Sequence, residues 1–232
     1  FEKWVYPLLT GTPIFHTQRV WLDTITHERR SLLNAQITAI TNQKGGVAKT
    51  TTSVNLAASL AHYKKKVLLL DLDPQGNASS GLGVNKAALE HSTYDVLVNF
   101  VPIDKITIEI NKKLSLVPAK VELAGAEMEL VSAISRESRL KNALEDVRDA
   151  YDYIIIDTPP SLGLLTLNAL TACDGVIVPI QCEFFALEGI MQLVATIMMA
   201  QKTYNQSTYS ITSINFCSLF HFWRNTYECT AE

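Results

Sequence analysis

The sequence has few cysteines and no cluster of them. Its four cysteines form no C-x-x-C pair and no spacing typical of metal ligands. Long apolar runs are also missing, because none reaches the roughly 18 residues that a membrane-spanning helix requires. These absences argue against a cysteine metal site and a transmembrane helix. Scattered thiols in an intracellular protein are the simplest interpretation of Cys173, Cys182, Cys217 and Cys229.

An excess of positive charge is absent as well. The 232 residues carry 20 Lys and Arg against 23 Asp and Glu, which gives a net charge of −3. The overall charge therefore provides no case for nucleic-acid binding, although a local basic patch is compatible with it. Hydrophobic residues make up 47% of the chain and charged residues 19%, which excludes a disordered chain. The length suffices for one α/β domain with a sizeable core.

What the sequence does contain is a phosphate-binding pattern, NQKGGVAKTT, at 42–51. A short β-branched run at 37–40 precedes it, and a segment with helical periodicity follows. Two adjacent glycines let the backbone turn its N–H groups inward, and the helix N-terminus adds partial positive charge. Lys49 can reach the β- and γ-phosphates, and the Thr50 hydroxyl can ligate Mg²⁺.

The match to the ordinary pattern G-x-x-x-x-G-K-[ST] is incomplete. Gln43 and Ala48 stand at its two glycine positions, and an additional lysine, Lys44, opens the loop. Alanine tolerates positive φ poorly, so a loop that needs φ > 0 at Ala48 would bind phosphate less well. A loop that needs only a small side chain there would accept alanine. We expect the second case, because the rest of the site is complete.

Two further strands end in acidic residues. Val67–Leu70 is an apolar run typical of a buried parallel strand, and Asp71 and Asp73 follow it. Tyr153–Asp157 is a second apolar, β-branched run that ends in an acid. Ligands of open α/β sheets bind at the carboxyl ends of strands, so these acids are expected near the phosphate loop. Asp157 has the Walker B arrangement, in which it hydrogen-bonds metal-bound water or Thr50.

Periodicity predicts the remaining elements. An apolar stripe after the strand predicted at 174–181 is expected to face the core, and it comprises Leu187, Ile190, Met191, Val194, Ile197 and Met198. Further strands are predicted at 114–118, 174–181 and 210–216, and helices at 24–33, 94–100, 122–134 and 138–151.

Three sequence motifs resemble those of the ParA/Soj family of deviant Walker-type partition ATPases. They are NQKGGVAKTT, VLLLDLDPQGNASSGLG and IIIDTPPSLGLLTLNAL, in the order and spacing of that family. The resemblance covers about residues 37–204. It implies an α/β fold, doubly wound around a mostly parallel sheet, of the P-loop NTPase type with a deviant Walker A motif.

The resemblance implies a role for each matching residue. Lys44 would reach the nucleotide of a second subunit, and Asp73 would position the attacking water, so both are expected to be catalytic. The implied metal site consists of Thr50, Asp71 and Asp157. The implied nucleotide-binding residues are Lys44, Gly45, Gly46, Val47, Ala48, Lys49, Thr50 and Thr51.

The resemblance also implies an activity and partners. The expected enzyme hydrolyses ATP with Mg²⁺, is slow alone, and forms an ATP-sandwich homodimer in chromosome or plasmid partitioning. Expected partners are a ParB/Spo0J-type protein and non-specific DNA, in the bacterial cytoplasm or at the nucleoid. No membrane attachment is expected, because a MinD-like relative would need a C-terminal amphipathic helix. An iron–sulfur carrier or a nitrogenase-reductase relative would need paired cysteines.

Both ends depart from the family pattern. We expect a poorly ordered or artefactual extension at 1–35, the ATPase domain at 36–204, and an aberrant tail at 205–232. A truncated gene or a frame change near Asn205 would explain the tail. It would remove part of the adenine pocket and much of the dimer and DNA surface, which puts DNA binding in doubt. The alternative function is therefore a truncated, inactive fragment that at most binds nucleotide or a partner.

Overall fold

The computed structural model describes residues 35–180, 186–204 and 210–215. Seven strands form one sheet in the order β3-β4-β2-β5-β1-β6-β7, and all neighbouring strands run parallel except β3 and β4. The strands are β1 Gln36–Ile40, β2 Val67–Asp71, β3 Ile108–Asn111, β4 Leu114–Val117, β5 Tyr153–Asp157, β6 Gly175–Ile180 and β7 Ser210–Asn215.

In the part of the chain that the structure describes, eight α-helices connect the strands. They are α1 Lys49–His62, α2 Asn77–Gly81, α3 Thr93–Leu97, α4 Ile103–Ile106, α5 Leu123–Leu130, α6 Arg139–Glu145, α7 Leu164–Ala172 and α8 Ala186–Thr203. Among the described residues, no helix has the length and apolar character needed to cross a membrane.

The central part of the sheet is buried on both faces, so its central strands are mostly apolar. Leu68 and Leu70 of β2 pack with α3, α5, α6, α7 and α8, whereas Val67 and Leu69 pack with α1 and α2 on the other face. Alternate residues of a strand point to opposite faces, which is why one apolar run supplies both cores. Helices on both faces of a mostly parallel sheet confirm the predicted doubly wound α/β fold.

The strand register brings the functional motifs to one edge of the sheet. Asp157 at the end of β5 is the register partner of both Ile40 at the end of β1 and Asp71 at the end of β2. The phosphate loop and the two acid-ended strands therefore meet at the carboxyl edge, as the sequence predicts.

Three predicted helices end earlier than the sequence suggests, and the one predicted at 94–100 is α3, Thr93–Leu97. The helix predicted at 122–134 is α5, Leu123–Leu130, and Ser135 beyond it has φ 52°. The helix predicted at 138–151 is α6, Arg139–Glu145, followed by a 3₁₀ turn at Arg148–Ala150. The apolar periodicity of the sequence continues past the ends of these helices, but the helical hydrogen bonding of the backbone stops there.

The predicted stripe of α8 is confirmed at Ile197 and is wrong at Met191 and Met198. Met191 and Met198 are 75% and 59% exposed, whereas Leu193, Ile197 and Ala200 are fully buried. Among the side chains of α8 that the structure describes, this core-facing set has the helical spacing i, i+4, i+7. The side chains of Leu187 and Ile190 and the helix predicted at 24–33 lie outside the described residues.

Candidate functional site

The loop between β1 and α1 has the backbone shape of an anion cradle. Gly46 has φ 74°, and Ala48, which caps α1, has φ 63° and ψ 32°. A Cβ added to Gly45 or Gly46 would meet no atom within 4 Å, so the space beside this backbone is open. Gly45 and Gly46 are exposed, and α1 begins directly after the loop. Open backbone at the N-terminus of a 14-residue helix suits a phosphate group.

Ala48 corrects one expectation from the sequence. Its left-handed conformation means that the loop does use positive φ at this position, and not merely a small side chain. This left-handed conformation costs a residue with a Cβ atom roughly 1–2 kcal/mol, whereas glycine adopts it without that cost. The site therefore contains local backbone strain at the residue that departs from the family pattern.

Lys49, the first residue of α1, is buried beside the acids. It is 7% exposed, and its Nζ donates a hydrogen bond to the Lys44 carbonyl at 3.1 Å. Burial lowers the pKa of Lys49, while the charges of Asp157 and Asp73 act in the opposite direction. Lys44, in contrast, is exposed. The structure thus separates a buried lysine inside the site from an exposed lysine at its rim.

Asp157 lies at the centre of the site. Its Oδ1 accepts a hydrogen bond from Ser53 Oγ at 2.7 Å, and the nearby Thr50 hydroxyl, like Ser53, acts to lower the pKa of the carboxyl group. Burial, aided by the negative charge of Asp71, raises the pKa of Asp157 to about 7. Its Oδ2 is buried with no hydrogen bond of ordinary geometry to any described residue. Such an oxygen favours a cation or an ordered water as its partner.

Asp71 has a different environment, although it neighbours Asp157. Its Oδ2 accepts from the Ser79 amide at 2.8 Å and from Ser79 Oγ at 2.7 Å, and its Oδ1 accepts from the Asp73 amide at 3.2 Å. Burial raises the pKa of Asp71 to about 6, and these hydrogen bonds oppose the shift. Both oxygens are engaged by the loop that follows β2, which favours a bracing role for Asp71.

Asp73 and Thr158 occupy the loops beside the phosphate loop. Asp73 is 7% exposed, and its Oδ1 accepts from the Gln75 amide at 2.9 Å. Thr158 Oγ1 donates to the Ile40 carbonyl at 2.9 Å and ties the segment after β5 to the end of β1. The loops that follow β1, β2 and β5 are therefore held at one edge by direct contacts.

Three polar residues of this edge were missed in the sequence. Ser53 and Ser79 support Asp157 and Asp71, and Asn42 joins the loop to β6 through a 2.7 Å bond from its Nδ2 to the Pro179 carbonyl. Ser53 lies one turn after Lys49, so helical spacing was a usable signal for it. For Asn42, the 137-residue separation from Pro179 left no local signal.

The residues present fit a magnesium–nucleotide. The described residues contain no group of three or more His, Cys, Asp or Glu arranged to hold a metal. A cation here would therefore need ligands from bound phosphates and water as well as from protein, which is how Mg²⁺ usually binds. The Thr50 hydroxyl and the buried Asp157 Oδ2 offer such a cation a direct ligand and an acceptor for its water.

Comparison with known proteins is consistent with this geometry. The family model described as an AAA domain matches residues 35–209. Sporulation initiation inhibitor protein Soj of Bacillus subtilis is 61% identical over 171 residues, which are 73% of this chain and 68% of the relative. Chromosome partitioning protein ParA of Myxococcus xanthus is 52% identical over 171 residues, 73% of this chain and 60% of that protein. The chain thus spans about two thirds or less of the length of these curated relatives.

Solved structures share the fold. The structure of cobyrinic acid a,c-diamide synthase from Mycobacterium smegmatis with bound ATP analog and magnesium has a TM-score of 0.75 and 41% identity. The superposition covers 78% of this chain and 74% of the synthase chain.

Proposed function

The chain belongs to the AAA-domain family that includes Soj and ParA, and on this premise we propose that it is a partition-type ATPase. The observation that carries the proposal is the buried group of Lys49 and Asp157 directly behind an open backbone loop at the start of α1. The Bacillus subtilis and Myxococcus xanthus relatives, at 61% and 52% identity, are named for inhibition of sporulation initiation and for chromosome partitioning, which supports this role over that of the synthase.

In this proposal, the loop binds the phosphates of ATP. The backbone of Gly45, Gly46, Val47 and Ala48 supplies N–H donors, Lys49 supplies a cation, and Thr51 contacts the α-phosphate. The Thr50 hydroxyl would hold Mg²⁺, and the buried Asp157 carboxyl group would support the metal site from behind the loop. Bound Mg²⁺ would neutralise charge on the phosphate oxygens. Asp71 belongs to the outer edge of this metal site, where it holds the Asp73 loop in place.

Catalysis would depend on Asp73 and Lys44. Asp73 would orient the attacking water, since phosphoryl transfer depends mainly on positioning and on stabilising charge. Lys44 is exposed at the rim, which supports a role across the interface with a second copy. ATP would then hold two chains together, and hydrolysis would separate them.

The finer cellular role is also part of the proposal. Residues 36–204 would form most of the ATPase domain, and β7, Ser210–Asn215, adds a strand to its sheet beside β6. The ATP-bound dimer would bind DNA non-specifically in the bacterial cytoplasm, and a ParB/Spo0J-type partner would stimulate hydrolysis. DNA affinity should then fall steeply as salt is raised, because phosphate contacts release counterions. DNA affinity that does not change with salt in the ATP-bound protein would contradict this part.

The first test is Mg-ATP binding and ATP-dependent association of the purified chain. We expect Lys49→Ala to weaken Mg-ATP binding by about 10- to 100-fold, the size of a lost charge-assisted hydrogen bond. Lys44→Ala should keep binding but lose association or turnover. Lys65→Ala, which removes an exposed lysine beyond the end of α1, is the matched control. A parent chain that folds but neither binds Mg-ATP nor associates would overturn the proposal and favour an inactive fragment.

A further inference from the structure

We propose that Asn42 is the positioning residue of Lys44. It holds the Lys44 main chain, and through it determines where the exposed Lys44 side chain leaves the loop. The inference rests on the proposed function insofar as Lys44 acts on a second copy. The contact itself is a property of the nucleotide-free chain.

Asn42 uses both ends of its side-chain amide. The residue is 6% exposed. Its Nδ2 donates to the Pro179 carbonyl of β6 at 2.7 Å, and its Oδ1 accepts from the Lys44 amide at 3.0 Å. The side chain therefore links a strand of the sheet to the first turn of the phosphate loop.

The link extends the pairing between β1 and β6. The Thr41 amide donates to the Ile177 carbonyl at 3.0 Å, which is a backbone hydrogen bond just past the end of β1. The next contact, to Pro179, comes from a side chain because the backbone has already turned away into the loop. Asn42 thus anchors the point at which the loop leaves the sheet.

Lys44 is held from the other side as well. Its carbonyl accepts from Lys49 Nζ at 3.1 Å, while its amide donates to Asn42. Both polar groups of the Lys44 main chain are thereby fixed by buried side chains, although Lys44 itself is exposed. A long, flexible side chain reaches a defined target only if its base is fixed, since each free rotor adds conformational entropy to be lost.

Asparagine suits this position chemically. The Pro179 carbonyl needs a donor and the Lys44 amide needs an acceptor, and one planar amide supplies both. Aspartate keeps the acceptor but has no donor when ionised, and alanine has neither. These two substitutions therefore separate the anchor to β6 from the contact with Lys44.

The first experiment measures amide hydrogen exchange in the nucleotide-free full chain. Asn42→Ala should speed exchange of the Lys44 amide by about fivefold or more, the effect expected of one lost hydrogen bond. Asn42→Asp should protect that amide better than Asn42→Ala does. Asn55→Ala is the matched control, because Asn55 Nδ2 donates to the Thr51 carbonyl at 2.7 Å without touching Lys44. Unchanged Lys44 exchange in folded Asn42→Ala would overturn the proposal.

The second experiment measures Mg-ATP-dependent association with the parent and with Lys44→Ala. Asn42→Ala should reduce association about fivefold or more in the parent, with a smaller change in Mg-ATP affinity of the monomer. It should add nothing in the Lys44→Ala background, because its effect passes through Lys44. An equal loss in both backgrounds would contradict a positioning role. A parent that does not bind Mg-ATP would refute the proposed function, while hydrogen exchange would still decide the Asn42 contact.

Discussion

The ends of β2 and β5 lie side by side, yet their aspartates are held in different ways. Both oxygens of Asp71 accept hydrogen bonds from the loop that follows β2, chiefly from Ser79. Asp157 accepts from α1, through Ser53, and keeps one buried oxygen without an ordinary hydrogen bond to the described residues. Asp71 and Asp157 are register partners in the sheet. Asp71 thus holds the loop after β2 in place, whereas Asp157 provides a carboxylate oxygen that can bind a ligand.

The largest expected effect of this difference is on the pH dependence of the free energy of unfolding. Burial raises the pKa of Asp157 from 3.8 to about 7, so the native state keeps a proton that the unfolded chain releases above about pH 4. The free energy of unfolding without nucleotide should therefore fall as pH rises from about 4 to about 7. Between about pH 4 and pH 7, we expect the free energy of unfolding of Asp157→Asn to rise by roughly 2–4 kcal/mol relative to that of the parent.

Urea unfolding of the parent and of Asp157→Asn at several pH values checks this expectation. The difference between the two proteins removes the titrating groups that do not interact with Asp157 and reports Asp157 together with the neighbouring Asp71 carboxyl group. A difference that stays constant between about pH 4 and 7 would show that Asp157 is not protonated preferentially in the native state.

The second expectation separates the two aspartates by function. Asp157→Asn should weaken Mg-ATP binding about 10- to 100-fold, the usual effect of removing a metal's supporting ligand. Asp71→Asn should instead lower the free energy of unfolding by about 1–3 kcal/mol, because a buried amide donor loses its acceptor. Urea unfolding and nucleotide titration measure both quantities, and Asp104→Asn on the surface is the control. Similar changes of Mg-ATP affinity and of the free energy of unfolding in the two variants would contradict different roles for Asp71 and Asp157.

A smaller effect is expected at Ala48 in the phosphate loop. Ala48→Gly should raise the free energy of unfolding by about 0.5–1 kcal/mol, because relief of the left-handed conformation exceeds the added entropy of the unfolded chain. Ala58→Gly in the interior of α1 should lower it by about 1 kcal/mol. Thermal or urea unfolding of the pair gives the result. A loss of stability in both variants would contradict the strain at Ala48.

The smallest effect is expected at the start of α7, the segment after β5, which a side chain of α5 holds in place. Glu127 Oε1 of α5 accepts from the Leu165 amide at 3.3 Å, and a Cβ on Gly163 would lie 2.1 Å from that oxygen. Gly163→Ala should destabilise the parent by about 0.5–1 kcal/mol and the Glu127→Ala protein by clearly less. Urea unfolding of the four proteins of the cycle measures this coupling. Additive losses would show that the two residues act independently.

The sequence by itself determined the order of the elements and the edge at which the chemistry lies. A β-branched run, a glycine loop and a helical pattern are local signals, as are acids that directly follow apolar runs. Parallel strands bring such loops to one edge, so the proximity of the phosphate loop, Asp71 and Asp157 could be predicted without coordinates.

Only the tertiary structure decided what each of these residues touches. Ser53 and Asp157 are 104 residues apart, and Asn42 and Pro179 are 137 apart, so no local pattern reports their contacts. The exposed methionines of α8 and the positive φ of Ala48 follow from packing and loop closure, which override residue preference. Short-range patterns specify which elements form, whereas burial and long-range hydrogen bonds specify the charge, strain and partners of each residue in the site.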